Sequence, residues 1–121
     1  MHAHPEGAFE EFKTVELIKS RLESLGITTA QIVGKTGLIV DIQGKGDLQK
    51  VQMGLHKVAL WADIDAVRMK EESNISYKSL NEDLGHLLGH DRHAAILVAT
   101  AELLNNWRER IPKNKSVRLI F

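Results

Sequence analysis

The chain has 121 residues, 43% of them apolar and 26% charged, with 16 basic residues against 16 acidic ones, 6 histidines and no cysteine. This length holds at most one domain, which buries roughly two-thirds of its unfolded surface. The balanced charge gives no field that would draw nucleic acid or an anionic membrane, and the missing cysteines exclude a disulfide, a cysteine-zinc site and a thiol nucleophile.

The opening MHAHPEGAFEEFK has no apolar stretch of the kind a secretory leader needs, which gives the expectation of no signal peptide and a cytoplasmic location. The longest uninterrupted apolar run, Ala94 to Ala99, is far short of the roughly 20 residues of a membrane span. His2 and His4 stand two apart. On an extended chain they would point the same way and could pinch a metal, or they are solvated at a mobile end.

From residue 8 to residue 25, Phe9, Phe12, Val15, Leu17, Ile18, Leu22 and Leu25 recur at helical spacing, and Gly26 follows as a stop. The pattern predicts an amphipathic helix. AQIV (30–33) reads as a short strand. VGKTG (33–37) has the look of a phosphate loop, but Thr29 stands where a glycine is required and a strand follows instead of a helix, so it reads as a tight turn. GLIVDI (37–42) and KVALWADI (57–64) are strands by their β-branched runs, joined by a polar, glycine-bearing link of hairpin type. Asp63 and Asp65 close the second of these on one side of the strand. Two neighbouring carboxylates repel unless a cation or donor lies between them, so they are either a site or a polar strand end.

Residues 66–90 read as loop, and residues 91–108 as a largely buried helix with Ala94, Leu97, Val98, Ala101, Leu104 and Trp107 on one face. Ile96, Ala99 and Leu103 widen that face. Asp91 reads as its N-cap, accepting from the Ala94 N–H. SVRLIF (116–121) is a strong final strand. The order predicts an α/β layer structure with a mixed sheet flanked by helices. GHLLGHDRH places His86, His90 and His93 around the helix start. Neutral imidazoles there could ligate zinc or manganese, with a carboxylate fixing the tautomer, or they are simply the polar start of a buried helix.

Several stretches together resemble the N-terminal part of the dinuclear-metal amidohydrolases, the family of hippurate hydrolase, N-acyl-amino-acid amidohydrolases and indoleacetyl-amino-acid hydrolases, itself related to zinc exopeptidases. MHAHPEGAFEEFKT is similar to L-H-x-H-P-E-x-x-F-x-E-x-x-T, and KTGLIVDIQGKG to K-T-G, a strand and G-x-G. VALWADIDAVRMKEE is similar to V-A-L-R-A-D-M-D-A-L-P-x-x-E-E. YKSLNEDLGHLLGHDRHAAILVATAELL follows the stretch built around M-H-A-C-G-H-D-x-H, and VRLIF the V-R-x-x-F strand.

The resemblance covers nearly the whole chain. It implies a partial zinc-exopeptidase-like catalytic domain over residues 1–121, with no second domain present. It also implies divalent metal (Zn, Mn or Co) as cofactor and a small-molecule N-acyl amino acid as substrate. In such enzymes two ions polarise an amide carbonyl and a glutamate acts as general base. His90 matches a metal-ligating histidine, His93 the last histidine of the same motif, and Asp63 and Asp65 the D-x-D beneath the metals, with Asp65 orienting a ligand.

The chain departs from the pattern at Leu88, which stands where the family has its cysteine ligand, at Trp61 for an arginine and at Arg68 for a proline. Residues 82–85 replace P-G-x-M, and Phe121 stands just before the family's Q-P-A-E-E, which carries the general base. The expectations are therefore weak metal binding and no amidase activity by this chain alone, with a non-catalytic remnant of the family as the alternative. Association through an unpaired sheet edge is also expected, with no nucleic-acid or membrane partner.

Overall fold

The protein is described by a computed structural model covering residues 1–47 and 56–121. Helix α1 (Phe12–Ser24) leads into strands β1 (Gln31–Val33), β2 (Gly37–Gln43) and β3 (His56–Trp61). Helix α2 (His90–Asn106), a short 3-10 turn (Arg108–Arg110) and strand β4 (Lys115–Ile120) complete the order. The four strands form one mixed sheet in the order β1-β2-β4-β3.

The sheet grows from local hairpin geometry outward. β1 and β2 pair antiparallel across the turn Gly34–Lys35–Thr36, with Val33 opposite Gly37. Gly34 sits at φ 61°, the left-handed region such a turn needs. β4 then lies antiparallel to β2, Val40 facing Leu119, and parallel to β3, Leu60 beside Leu119. The expected hairpin between residues 37–42 and 57–64 does not form, because β4 occupies the place between those strands. Residues 48–55 of that link lie outside the described residues.

Leu38, Val40 and Ile42 alternate into the core with Leu119 and Phe121. They meet Val15, Ile18 and Leu22 of α1 and Ala94, Leu97 and Ala101 of α2. Each large side chain buried there contributes about 1.5–3 kcal/mol relative to exposure. The opposite face of the sheet carries Asp41, whose carboxylate accepts from Arg118 Nε at 2.8 Å and Nη2 at 2.6 Å, with Lys57 Nζ at 3.3 Å.

Both helices are shorter or less buried than their periodicity suggests. α1 begins at Phe12, and Phe9, Phe12 and Leu17 are exposed. Its first turn is capped from a distance by Glu6, whose carboxylate accepts the N–H groups of Lys13 and Thr14 at 3.1 and 2.6 Å, satisfying donors every helix start leaves open. In α2 only Ala94, Leu97 and Ala101 are buried, whereas Ile96, Leu103 and Trp107 are at least half exposed. α2 packs on the core through Ala94, Leu97 and Ala101, with Val98 and Leu104 partly buried against it, and its second apolar flank brings Ile96 to a groove beside Leu60 and Trp61 of β3. Val58, Leu60 and Trp61 of β3 are likewise exposed. Among the described residues no helix is long and apolar enough to cross a membrane.

Candidate functional site

The parallel strand β3 ends at Trp61, before the residues 62–64 that its sequence pattern suggests. The alternation nevertheless continues past the last strand residue. Ala62, Ile64 and Ala66 are buried, while Asp63 and Asp65 turn the other way. Backbone bonds hold this segment on both sides. The Ala66 N–H donates to the Glu6 carbonyl at 2.8 Å, and Val67 and Gly85 exchange two bonds at 3.0 Å. The HPE motif and the segment before the histidine-rich motif thus frame the two aspartates.

Helix α2 brings His90 to them. Gly89 adopts φ 83°, a left-handed conformation in which a side chain is strained, and the helix begins at the next residue. The N-cap is two residues earlier than the Asp91 N-cap reading. Asp91 lies inside the first turn, and its carboxylate is taken by His2 instead of capping the Ala94 N–H. His90 Nδ1 is 2.9 Å from Asp65 Oδ1 and 3.0 Å from the Asp65 carbonyl oxygen. Both of these atoms only accept, so Nδ1 carries the proton and donates. In the neutral ring this leaves Nε2 with a free lone pair, and Nε2 stands 3.9 Å from Asp63 Oδ2.

The His90 ring is mostly buried, Asp65 is partly buried and Asp63 is open to solvent at 62%. A mostly buried histidine whose tautomer is set by a carboxylate, beside a second, exposed carboxylate, is suited to offering nitrogen and oxygen donors to a cation. His93 lies one turn further along, its ring centroid 6.1 Å from that of His90. It lines an apolar groove with Leu60, Trp61, Ile96 and Leu97 instead of joining the aspartates.

The donor set falls short of a complete shell. A tetrahedral ion takes about four donors. Among the described residues no group of three or more histidine or carboxylate side chains is disposed to hold a metal. Leu88, two residues before His90 and 64% exposed, offers only hydrocarbon. Taken alone, the described residues do not fit a metal centre.

The N-terminal histidines differ. His4 is exposed, whereas both ring nitrogens of His2 are engaged, which leaves none for an ion shared with His4. His2 is tied to Asp91 and Glu71 and is not solvated either. His86 is buried with neither ring nitrogen hydrogen-bonded, and burial pushes its pKa down against the opposing charge of Asp91. Burial works to raise the Asp91 pKa, but His2 and the Arg92 N–H hold it below the usual value. The part played by His2 and Glu71 escaped the sequence reading. The H-x-H spacing drew attention to His2, but its partners lie 69 and 89 residues away.

Comparison with known proteins places this geometry in a family. The model of peptidase family M20/M25/M40 matches residues 59–121, the stretch that carries Asp63, Asp65 and His90. The chain is 35% identical over 122 residues to an N-acetylcysteine deacetylase of Bacillus subtilis, covering 100% of this chain and 30% of that protein. It is 36% identical over 104 residues to a hippurate hydrolase of Campylobacter jejuni, covering 86% of this chain and 25% of that one. The crystal structure of the Bacillus subtilis YXEP protein, described as a dinuclear metal binding peptidase from the M20 family, superimposes with a TM-score of 0.82 at 35% identity over 99% of this chain and 32% of its own. The chain thus spans under a third of the length of these relatives. With a family model over half its length, the expected motifs in order and the same fold, it belongs to peptidase family M20/M25/M40.

Proposed function

We propose that residues 1–121 are the N-terminal part of the catalytic domain of a metal-dependent amidohydrolase. Its substrates are small N-acyl amino acids, and its products are a carboxylic acid and an amino acid. In this reading His90 gives one metal donor through Nε2, Asp65 orients it, Asp63 supplies a carboxylate at the open side, and His93 lies at the margin of the site. The observation that carries the reading is the paired bond from His90 Nδ1 to Asp65 Oδ1 and O, which leaves Nε2 on the side of Asp63. The names of the relatives support the substrate class, and the description of the YXEP protein supports the metal.

A second reading, that this chain by itself turns over nothing, is favoured by Leu88 and by the incomplete donor set. The two readings are compatible: the chain supplies its part of the site, and the remaining donors come from elsewhere. The exposed apolar strip of Val58, Leu60, Ile96 and Leu103 supports a further proposal, that copies of this chain associate along β3.

The test is to add Mn²⁺ to the labelled chain and follow its NMR spectrum, alongside an assay on N-benzoyl and N-acetyl amino acids. Selective broadening at His90, Asp63 and Asp65, abolished in His90→Ala, with no hydrolysis by the chain alone, is the expected result. Broadening centred elsewhere, for example on His4, would remove His90 from the metal's path.

A further inference from the structure

The N-terminus is fastened to the foot of α2 by a contact with unusual proton bookkeeping. His2 Nδ1 is 2.7 Å from Asp91 Oδ2, and His2 Nε2 is 3.1 Å from Glu71 Oε1. All three side chains are largely buried, at 19%, 12% and 5% exposure. Glu71 is itself immobilised. The Ser79 N–H donates to its Oε2 at 2.6 Å, and the Ser73 hydroxyl donates to its Oε1. Tyr77 packs edge-on to the His2 ring at 5.4 Å, and the His86 ring lies 6.3 Å away.

An ionised carboxylate only accepts hydrogen bonds. A neutral imidazole has one N–H and one lone pair, so in either tautomer one lone pair would face a carboxylate oxygen at close range. Only the doubly protonated ring donates at both ends. We propose that His2 is an imidazolium clamp, a positioning residue that pins Asp91 in the first turn of α2 to the 71–79 loop and so fixes the turn on which His90 stands. The clamp rests on the hydrogen-bond geometry alone. Its consequence for His90 rests on the reading of the preceding subsection.

The surrounding charges agree with this assignment. Burial works against a charged His2, but the bonds from Asp91 and Glu71 outweigh it, and the ring's pKa is raised above its ordinary value. The Glu71 carboxyl is held down to about 2 by the Ser73 hydroxyl, then the Ser79 N–H, then His2. The cations in reach are His86 and the Met1 α-amino group, which bears on His86. His86 is driven toward its neutral form by burial, so it adds no second charge beside His2. Two carboxylates therefore face one imidazolium.

The sign of the pH dependence follows. His2 has a higher pKa folded than unfolded, so its stabilisation is complete below the unfolded value of about 6.5 and is lost as pH rises through the folded value.

The experiment is nitrogen-detected NMR of the whole chain from about pH 5 to about pH 9, observing the His2 ring. Both ring nitrogens of His2 are expected to be protonated at neutral pH and to titrate above the free-imidazole value of about 6.5. A neutral His2 tautomer at pH 7 overturns the proposal without recourse to any variant.

Amide exchange in the first turn of α2 supplies the second readout. His2→Gln should speed exchange at Arg92 and His93 by roughly tenfold, the equivalent of one lost charge-assisted bond. His2→Arg, which stays charged, should keep protection at a pH where the wild type has begun to fray. Equal protection in all three proteins, or a His2→Arg that behaves as His2→Gln, counts against a clamp made by charge. None of these readouts involves metal or substrate. A clamp that fails leaves the metal reading standing, and a His90 that binds no ion leaves the clamp standing.

Discussion

Single residues decide where the candidate donors stand. Gly89 is the pivot, because its φ of 83° starts α2 at His90 and brings that ring to Asp65. Space is not the limit there, since an added Cβ would meet nothing within 4 Å. Backbone strain is the limit, so Gly89→Ala should cost about 1–2 kcal/mol in denaturant unfolding. A larger loss would mean that packing, not conformation, holds the glycine.

Asp41 belongs to a different role at the same scale. Its carboxyl is held at about 2, chiefly by the Arg118 guanidinium and further by Lys57. A depressed carboxyl stabilises above its unfolded value near 4 and loses that contribution as pH falls toward 2. The pair is about one-third exposed, so solvent screening limits it to roughly 1 kcal/mol or less. Arg118→Met should flatten the acid limb of the stability profile by about that amount and leave stability between pH 6 and 7 lower by the same amount. An unchanged acid limb would refute the pairing. The D-x-D and G-H-D stretches were visible in the sequence as chemistry-bearing residues, because each is local. The His2 contacts were not, since no periodicity links positions 89 residues apart.

At the level of elements, all four strands and the two helices were legible, β3 with its end read three residues too far, because alternation and helical spacing mark faces directly. The strand order was not. Nothing in GLIVDI or KVALWADI says that SVRLIF will lie between them, since a run with Val, Leu and Ile pairs equally well with either neighbour. The burial of α2 was over-read for a related reason. Ile96 and Leu103 have the spacing of core residues, yet the surface they face beside β3 is open among the described residues. Apolar periodicity reports that a face is made for contact, and it does not report what makes the contact. The open strip carries its own prediction. In sedimentation the chain should self-associate as concentration rises, and Leu60→Lys combined with Ile96→Glu should shift it toward monomer while leaving its circular dichroism unchanged. A wild type that remains monomeric at high concentration would show that the strip is tolerated by solvent.

For the molecule as a whole, this stretch of peptidase family M20/M25/M40 carries a sheet, a core and a histidine–carboxylate pair. The relatives are more than three times as long as this chain. Under the proposed reading, residues 1–121 hold more positioning contacts than metal donors. Glu6 of the HPE motif caps α1 and its carbonyl accepts from Ala66, His2 is bonded to Asp91 at the foot of α2, and Asp65 accepts from His90 Nδ1. The most direct test is calorimetric titration of zinc into the wild type, into Leu88→Cys, and into Leu88→Cys with His90→Ala. Weak binding to the wild type is expected, with a gain of roughly tenfold or more when the sulfur is supplied and loss of that gain when His90 is removed. Tight binding of two ions by the wild type, or a cysteine that adds nothing, would contradict this reading.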